Sequence, residues 1–82
     1  MINMEETFYM MKDILLRLGE KGEAISRPTF QEYERLGIIK APSRYAIISN
    51  GKKVRLYTKE EVEQNADRII AYIKQKRAKT LL

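Results

Sequence analysis

Arg44-Tyr45-Ala46-Ile47-Ile48-Ser49-Asn50-Gly51-Lys52-Lys53-Val54-Arg55-Leu56-Tyr57 sets two strand-like runs around an Asn-Gly pair. Asparagine and glycine both tolerate positive φ, so this stretch predicts a hairpin closed by a two-residue turn. With that turn Ser49 faces Lys52, Ile47 faces Val54 and Tyr45 faces Leu56. Tyr45, Ile47, Val54 and Leu56 then share one face, a core side. Arg44, Ala46, Ile48, Lys53, Arg55 and Tyr57 share the other, and Lys52 projects at the tip. The expectation is a ribbon over residues 44–57 with one oily and one basic side.

Upstream of the ribbon, Ser26 predicts the N-cap of a short helix over residues 26–36, with Pro28 tolerated in its first turn and Gly37 ending it. Phe30 and Tyr33 face inward on that helix, whereas Arg27, Gln31 and Arg35 recur at four-residue steps on an exposed stripe. Ile38 and Ile39 begin an extended stretch that Pro42 keeps from turning helical. Nearer the N-terminus, Met4, Phe8, Met11, Leu15 and Leu18 predict a helix over residues 4–18, with Asn3 as cap and Gly19 as stop. Residues 19–25 read as a loop. Downstream, Thr58 and Glu61 form a Thr-x-x-Glu capping box, and Val62, Ala66, Ile69, Ile70 and Ile73 mark the apolar stripe of a helix over residues 58–77.

The 82-residue length leaves room for one small domain, 1–82. Without cysteine or histidine, disulfides, the usual zinc sites and histidine acid–base chemistry are excluded. The longest apolar run, Ile69–Ile73, is far below the ~20 residues of a membrane span. No signal-peptide pattern opens the chain, and the expected location is cytoplasmic. No glycine-rich phosphate loop and no nucleophile–base pair can be assembled, so the expectation is a non-enzyme without cofactors. Sixteen basic and eleven acidic side chains give a net charge of +5, unevenly spread. Residues 1–26 carry −2, residues 27–58 carry +5 and residues 59–82 carry +2, and from Arg35 to Lys59 there are seven bases and no acid. Such a local positive field attracts a polyanion.

Helix, loop, short helix, basic hairpin, helix is the order of a winged helix-turn-helix, an α+β fold that is mostly α. A short helix with a polar outer stripe fits the major groove of duplex DNA, and a β-ribbon reaches the adjacent backbone or minor groove. On that logic Arg27, Gln31 and Arg35 are candidates for groove contact, and Arg44, Lys52, Lys53 and Arg55 for phosphate contact.

The run Thr29-Phe30-Gln31-Glu32-Tyr33-Glu34-Arg35-Leu36-Gly37-Ile38-Ile39-Lys40-Ala41-Pro42-Ser43-Arg44 resembles the recognition-helix signature of MerR-type DNA-binding domains, approximately T-[IL]-R-Y-Y-E-[RK]-x-G-[LI]-[LI]-x-P-x-R. Arg55-Leu56-Tyr57, followed by Thr58 and Glu61, is similar to that family's R-x-Y at the end of the wing and the helix after it. The resemblance covers residues 26–65. It implies a bacterial, archaeal or viral DNA binder in which Tyr33 and Glu34 are mainly structural and Arg35, Arg44 and Arg55 face DNA. Two departures stand in the helix: Gln31 replaces the family's arginine and Glu32 its aromatic, which implies a different sequence preference. The loop at residues 19–25 and the wing are both longer than in the family. The chain stops at Leu82, without the long dimerising helix and effector domain of typical members, so the resemblance points to stand-alone, excisionase-like regulators without a small-molecule effector domain.

The expected function is therefore sequence-specific binding of double-stranded DNA in transcription or recombination, as a homodimer or by cooperative assembly on DNA. A protein–protein interaction module that uses the winged fold without DNA is the alternative, motivated by Ile48 and the stripe Val62–Ile73. A membrane-surface role for residues 66–82 is the weakest reading. Phe8, Phe30, Tyr33 and Tyr45 are expected in the core, with Tyr57 on the basic face. Glu32 has three readings: accepting from a cytosine amino group, pairing with a nearby arginine, or facing solvent, the last favoured.

Overall fold

The computed structural model describes residues 7–42, 44–48 and 50–81. They form α1 (Met11–Glu20), α2 (Arg27–Arg35), β1 (Arg44–Ile47), β2 (Lys53–Leu56) and α3 (Lys59–Leu81). This is an α+β arrangement, mostly α, with three helices and a two-stranded antiparallel hairpin in the order of a winged helix-turn-helix.

Both predicted caps of α2 are present. Ser26 Oγ accepts from the Thr29 N–H at 3.4 Å, and Pro28 lies in the first turn where its missing donor is not needed. At the other end Gly37 takes φ +81°, and the Ile38 N–H reaches back to the Tyr33 carbonyl while the Gly37 N–H reaches Glu34, a Schellman closure. The capping box of α3 is also present: Thr58 Oγ1 accepts from the Glu61 N–H, and Glu61 Oε1 accepts from the Thr58 N–H. This helix runs past the expected residue 77 to Leu81, and Arg77 is tied by two hydrogen bonds to Glu23 in the α1–α2 loop.

The first helix differs from expectation. It begins at Met11, where the Asp13 carboxylate accepts from the Met10 N–H at 2.7 Å, and it ends at Glu20 rather than at Gly19. The stop is Gly22, at φ +89°, with the Glu23 N–H bonded to the Leu18 carbonyl. The chain at residues 7–10 is not helical, because Tyr9 bridges Tyr57 instead: each backbone N–H donates to the other's carbonyl, at 2.8 and 2.7 Å. Phe8 is consequently half-buried in an extended segment. The Asn3 cap and Met4 lie outside the described residues.

The hairpin exists, but its register is shifted by one residue. Arg44 pairs with Leu56, Tyr45 with Arg55, Ala46 with Val54 and Ile47 with Lys53. A two-residue turn of the expected kind needs positive φ at both central positions. Among the described residues only glycines adopt it, and Gly51 is one of them, at φ +81°. Asn50 instead uses its side chain, accepting from the Lys52 N–H at 3.0 Å. The Gly51 N–H bonds to the Ile48 carbonyl, and the Ile48 N–H to the Lys52 carbonyl. The result is three residues between the paired Ile48 and Lys52, and Ser49 lies outside the described residues. Slipping the register by one exchanges the faces of one strand relative to the other. Ala46, Val54 and Leu56 are half-buried, whereas Tyr45 (52% exposed) and Ile47 (71% exposed) stand with Lys53 and Arg55 on the outer side. The oily face expected for Tyr45 and Ile47 is therefore not formed.

Ile14 and Leu18 of α1, Phe30 and Tyr33 of α2, Val62, Ala66 and Ile69 of α3, together with Ile39 and Tyr57, make the core. Tyr57, expected on the basic face, is fully buried. Asn65 is a buried polar residue that the apolar periodicity conceals: its Oδ1 accepts from the Lys40 N–H at 2.8 Å and its amide donates to the Lys40 carbonyl at 3.5 Å. It pins the irregular segment after α2 onto α3, as does Arg68 Nε, which donates to the Ile38 carbonyl at 2.7 Å.

Two stability outcomes follow from these buried groups. Asn65→Ala strands both polar groups of Lys40 and is expected to destabilise the fold by about 1–3 kcal/mol in urea unfolding. Tyr57 carries a buried hydroxyl without a hydrogen-bond partner among the described residues, so Tyr57→Phe is expected to raise stability by about 1 kcal/mol. Burial, with Glu34 contributing, pushes the Tyr57 phenol above its ordinary value of 10.0. Above that pH the unfolded chain releases the proton first, so stability falls as pH rises. In Tyr57→Phe the alkaline fall is expected to be shallower, measured by thermal unfolding between neutral and strongly alkaline pH.

Candidate functional site

The starting point is where each cation of this basic chain finds its counter-charge. On the flank where α1 meets α3, Arg17 pairs with Glu20 and Glu63, Lys21 with Glu63 at 3.0 Å and Asp67 at 2.9 Å, and Arg77 with Glu23. Hydrogen bonds from Arg17 and Lys21 hold the Glu63 carboxyl below its ordinary range, while bonds to Glu63 and Glu20 raise Arg17 and bonds to Asp67 and Glu63 raise Lys21. These charges are matched locally.

On the wing side the balance is different. A groove of about 520 Å³ opens between the start of α1, the start of α2 and the hairpin. Lys12, Arg27, Lys52, Lys53 and Arg55 line it, and no carboxylate among the described residues does. Its remaining surface is apolar: Met10, Met11, Tyr45, Ile48 and Val54. Lys12, Arg27 and Lys52 have no ion-pair partner among the described residues, and Lys53 Nζ stands 5.9 Å from the centre of the Tyr45 ring. Several unneutralised cations around one concavity make a focused positive potential, stronger than the same charges dispersed.

Four of the seven residues singled out from the sequence, Arg27, Lys52, Lys53 and Arg55, are thus brought together. The cap at Ser26 places Arg27 in the first turn of α2 and so at the groove. The shifted ladder places Arg55 beside Tyr45 and Lys53 beside Ile47 on the outer side of the ribbon. Arg55 is also bound through its guanidinium to Glu34 of α2, an ion pair that fastens the wing to that helix. Gln31 and Arg35 lie on the exposed stripe of α2, outside the groove lining. Arg35 is held by Glu32, so the favoured solvent reading of Glu32 gives way to the arginine-pairing one. Arg44 is separate from the other wing cations, its guanidinium 5.5 Å from the centre of the Phe8 ring.

Lys12 is not among the expected residues, because a helix drawn from residue 4 puts it in mid-helix on an acidic segment. Asp13 carries the missing signal: as an acid in a first turn it marks a helix beginning near residue 11, which places Lys12 at the end facing the wing. Tyr45 joins Lys53 and Arg55 through the register shift, which no side-chain pattern announces. For metal chemistry there is no cluster of three or more acidic ligands among the described residues, and no described helix is long and apolar enough to cross a membrane.

The Glu34–Arg55 pair is partly exposed and is expected to contribute little to global stability, under about 1 kcal/mol. Its effect is local. Glu34→Gln is expected to leave the melting temperature within a few degrees while accelerating amide hydrogen exchange at residues 53–56, read by mass spectrometry or NMR. Comparison of the chain with protein-family models, with curated proteins and with solved structures finds no match in any of the three.

Proposed function

We propose that this chain binds double-stranded DNA in a sequence-specific manner, as a small transcriptional or recombination regulator, with α2 in the major groove and the wing on the backbone or minor groove. The observation that carries this reading is the groove, without a carboxylate among its described lining residues, in which α1, α2 and the hairpin each contribute cations, set apart from the flank where basic and acidic side chains neutralise one another. A duplex offers phosphates at several positions along a curved surface, and lysines and arginines drawn from three elements suit that spacing better than a single charged strip. The exposed stripe Arg27, Gln31 and Arg35 supplies side chains of the types that read bases: glutamine pairs with adenine and arginine with guanine. The resemblance of residues 26–65 to MerR-type domains agrees with this assignment. A domain of this size covers few base pairs, so two copies on adjacent half-sites, as a homodimer or assembled on DNA, complete the proposal.

The apolar part of the same groove favours a second reading. Met10, Tyr45 and Ile48 are exposed there, and apolar surface gains nothing from a phosphate backbone. A protein partner that takes the wing face without DNA accounts for them.

Titration of labelled duplexes at several salt concentrations separates the two. Five to seven phosphate contacts give a log-affinity slope of about −4.5 to −6 against log salt, from about −0.9 per phosphate. Lys52→Ala combined with Lys53→Ala is expected to weaken binding to all duplexes and to make the slope shallower by about 2. Arg35→Ala is expected to weaken a preferred site more than random DNA. Absence of duplex binding even at low salt, with retention of a stoichiometric protein partner that Ile48→Ser releases, would establish the second reading instead.

A further inference from the structure

Glu32 and Arg35 lie one turn apart on the exposed side of α2. Arg35 Nε donates to Glu32 Oε1 at 3.1 Å, and Arg35 Nη2 donates to Glu32 Oε2. The carboxylate therefore grips one side edge of the guanidinium. An arginine has five N–H donors in a planar fork. Two are used here, and the other three, on Nη1 and the far side of Nη2, donate to nothing among the described residues. The end of the fork, with one N–H on each of Nη1 and Nη2, is left as a parallel pair in a plane that the carboxylate determines. Arg35 keeps most of its surface in solvent despite this clamp. The hydrogen bond from Arg35 also holds the Glu32 carboxyl below its ordinary range, so the clamp is ionic at neutral pH.

Resting on the duplex-binding reading above, we propose that Glu32 is a positioning residue that orients Arg35 to read a guanine in the major groove. Two parallel N–H donors match the O6 and N7 acceptors that guanine alone presents there. An unclamped arginine swings to whichever phosphate is nearest and carries no sequence information. Glu32 opposes that in two ways: it occupies the edge from which the side chain would turn, and its negative charge disfavours a phosphate at the same place. The acid in an otherwise basic surface thus makes one cation selective, at some loss of overall attraction.

The test uses the full chain and a library of duplexes with a randomised core. Wild-type selection is expected to yield a site containing a G·C pair whose replacement by A·T weakens binding about tenfold. Glu32→Gln, which keeps the size but not the charge, is expected to reduce that discrimination to under about threefold. It is also expected to bind unrelated duplexes more tightly and to steepen the salt slope by about 0.9, as Arg35 turns to a phosphate. Glu32→Asp, which retains a carboxylate one turn away, is expected to keep the preference, and Arg35→Lys to lose it because an ammonium lacks the parallel pair. A purely structural role for Glu32 would move neither the base preference nor the slope. The proposal is overturned if Glu32→Gln discriminates as wild type does, or if the position sensitive to Arg35 demands another base. Failure of any duplex to be enriched overturns the duplex-binding reading as well, whereas enrichment that Glu32→Gln leaves unchanged overturns this inference alone.

Discussion

Two backbone hydrogen bonds between Tyr9 and Tyr57 hold the wing to the helices. They turn the segment before α1 into a third, one-residue rung at the base of the hairpin, while the Tyr57 ring fills the core between the helices. The next residue, Thr58, caps α3. Strand end, core anchor and helix start therefore fall on adjacent residues, which leaves little freedom in the angle between ribbon and α3. Without this junction the hairpin would hang on irregular chain, since an isolated two-stranded ribbon is marginal in water. The ion pair of Arg55 with Glu34 then adds a second, lateral tie to α2.

The features that could be read from sequence are those governed by neighbours along the chain. Ser26, Pro28 and Gly37 delimit α2, and Thr58 and Glu61 start α3, because caps act over three or four residues and their chemistry is explicit. The first helix departs from its sequence pattern for the opposite reason. Met4, Phe8 and Met11 fit a helical period, but pairing of Tyr9 with a residue 48 positions away outweighs that local pattern. The register of the hairpin is a closer contest. Asn50-Gly51 suits either a two-residue or a three-residue loop, and the choice rests on whether Asn50 takes positive φ or accepts a hydrogen bond from its own turn. Alternation of side chains does not decide it, since β2 alternates strictly but β1 carries apolar residues at both odd and even positions. Asn65 was hidden within a helical stripe because its partner, the Lys40 backbone, becomes apparent only in three dimensions.

Charge follows the same division. The excess of bases in the middle third is visible in the sequence, but which of them remain uncompensated depends on packing. Arg17, Lys21 and Arg77 are matched by acids brought from other elements, whereas Lys12 and Arg27 converge with the wing lysines. Arg44, expected with the wing cations, is drawn onto Phe8 by the same extended segment that bridges Tyr57. The positive groove is thus a product of the tertiary fold as much as of composition.

Gly51, in its left-handed conformation, closes a loop of odd length, and the parity of that loop determines which members of β1 look outward. Loss or gain of a single residue at the tip would invert one strand against the other, burying Tyr45 and Ile47 and bringing Ala46 to the surface, with the helices untouched. The wing is in this sense a two-position selector. Length variation at its apex offers descendants of this chain an abrupt change of surface chemistry that point substitutions could reach only through several intermediate steps.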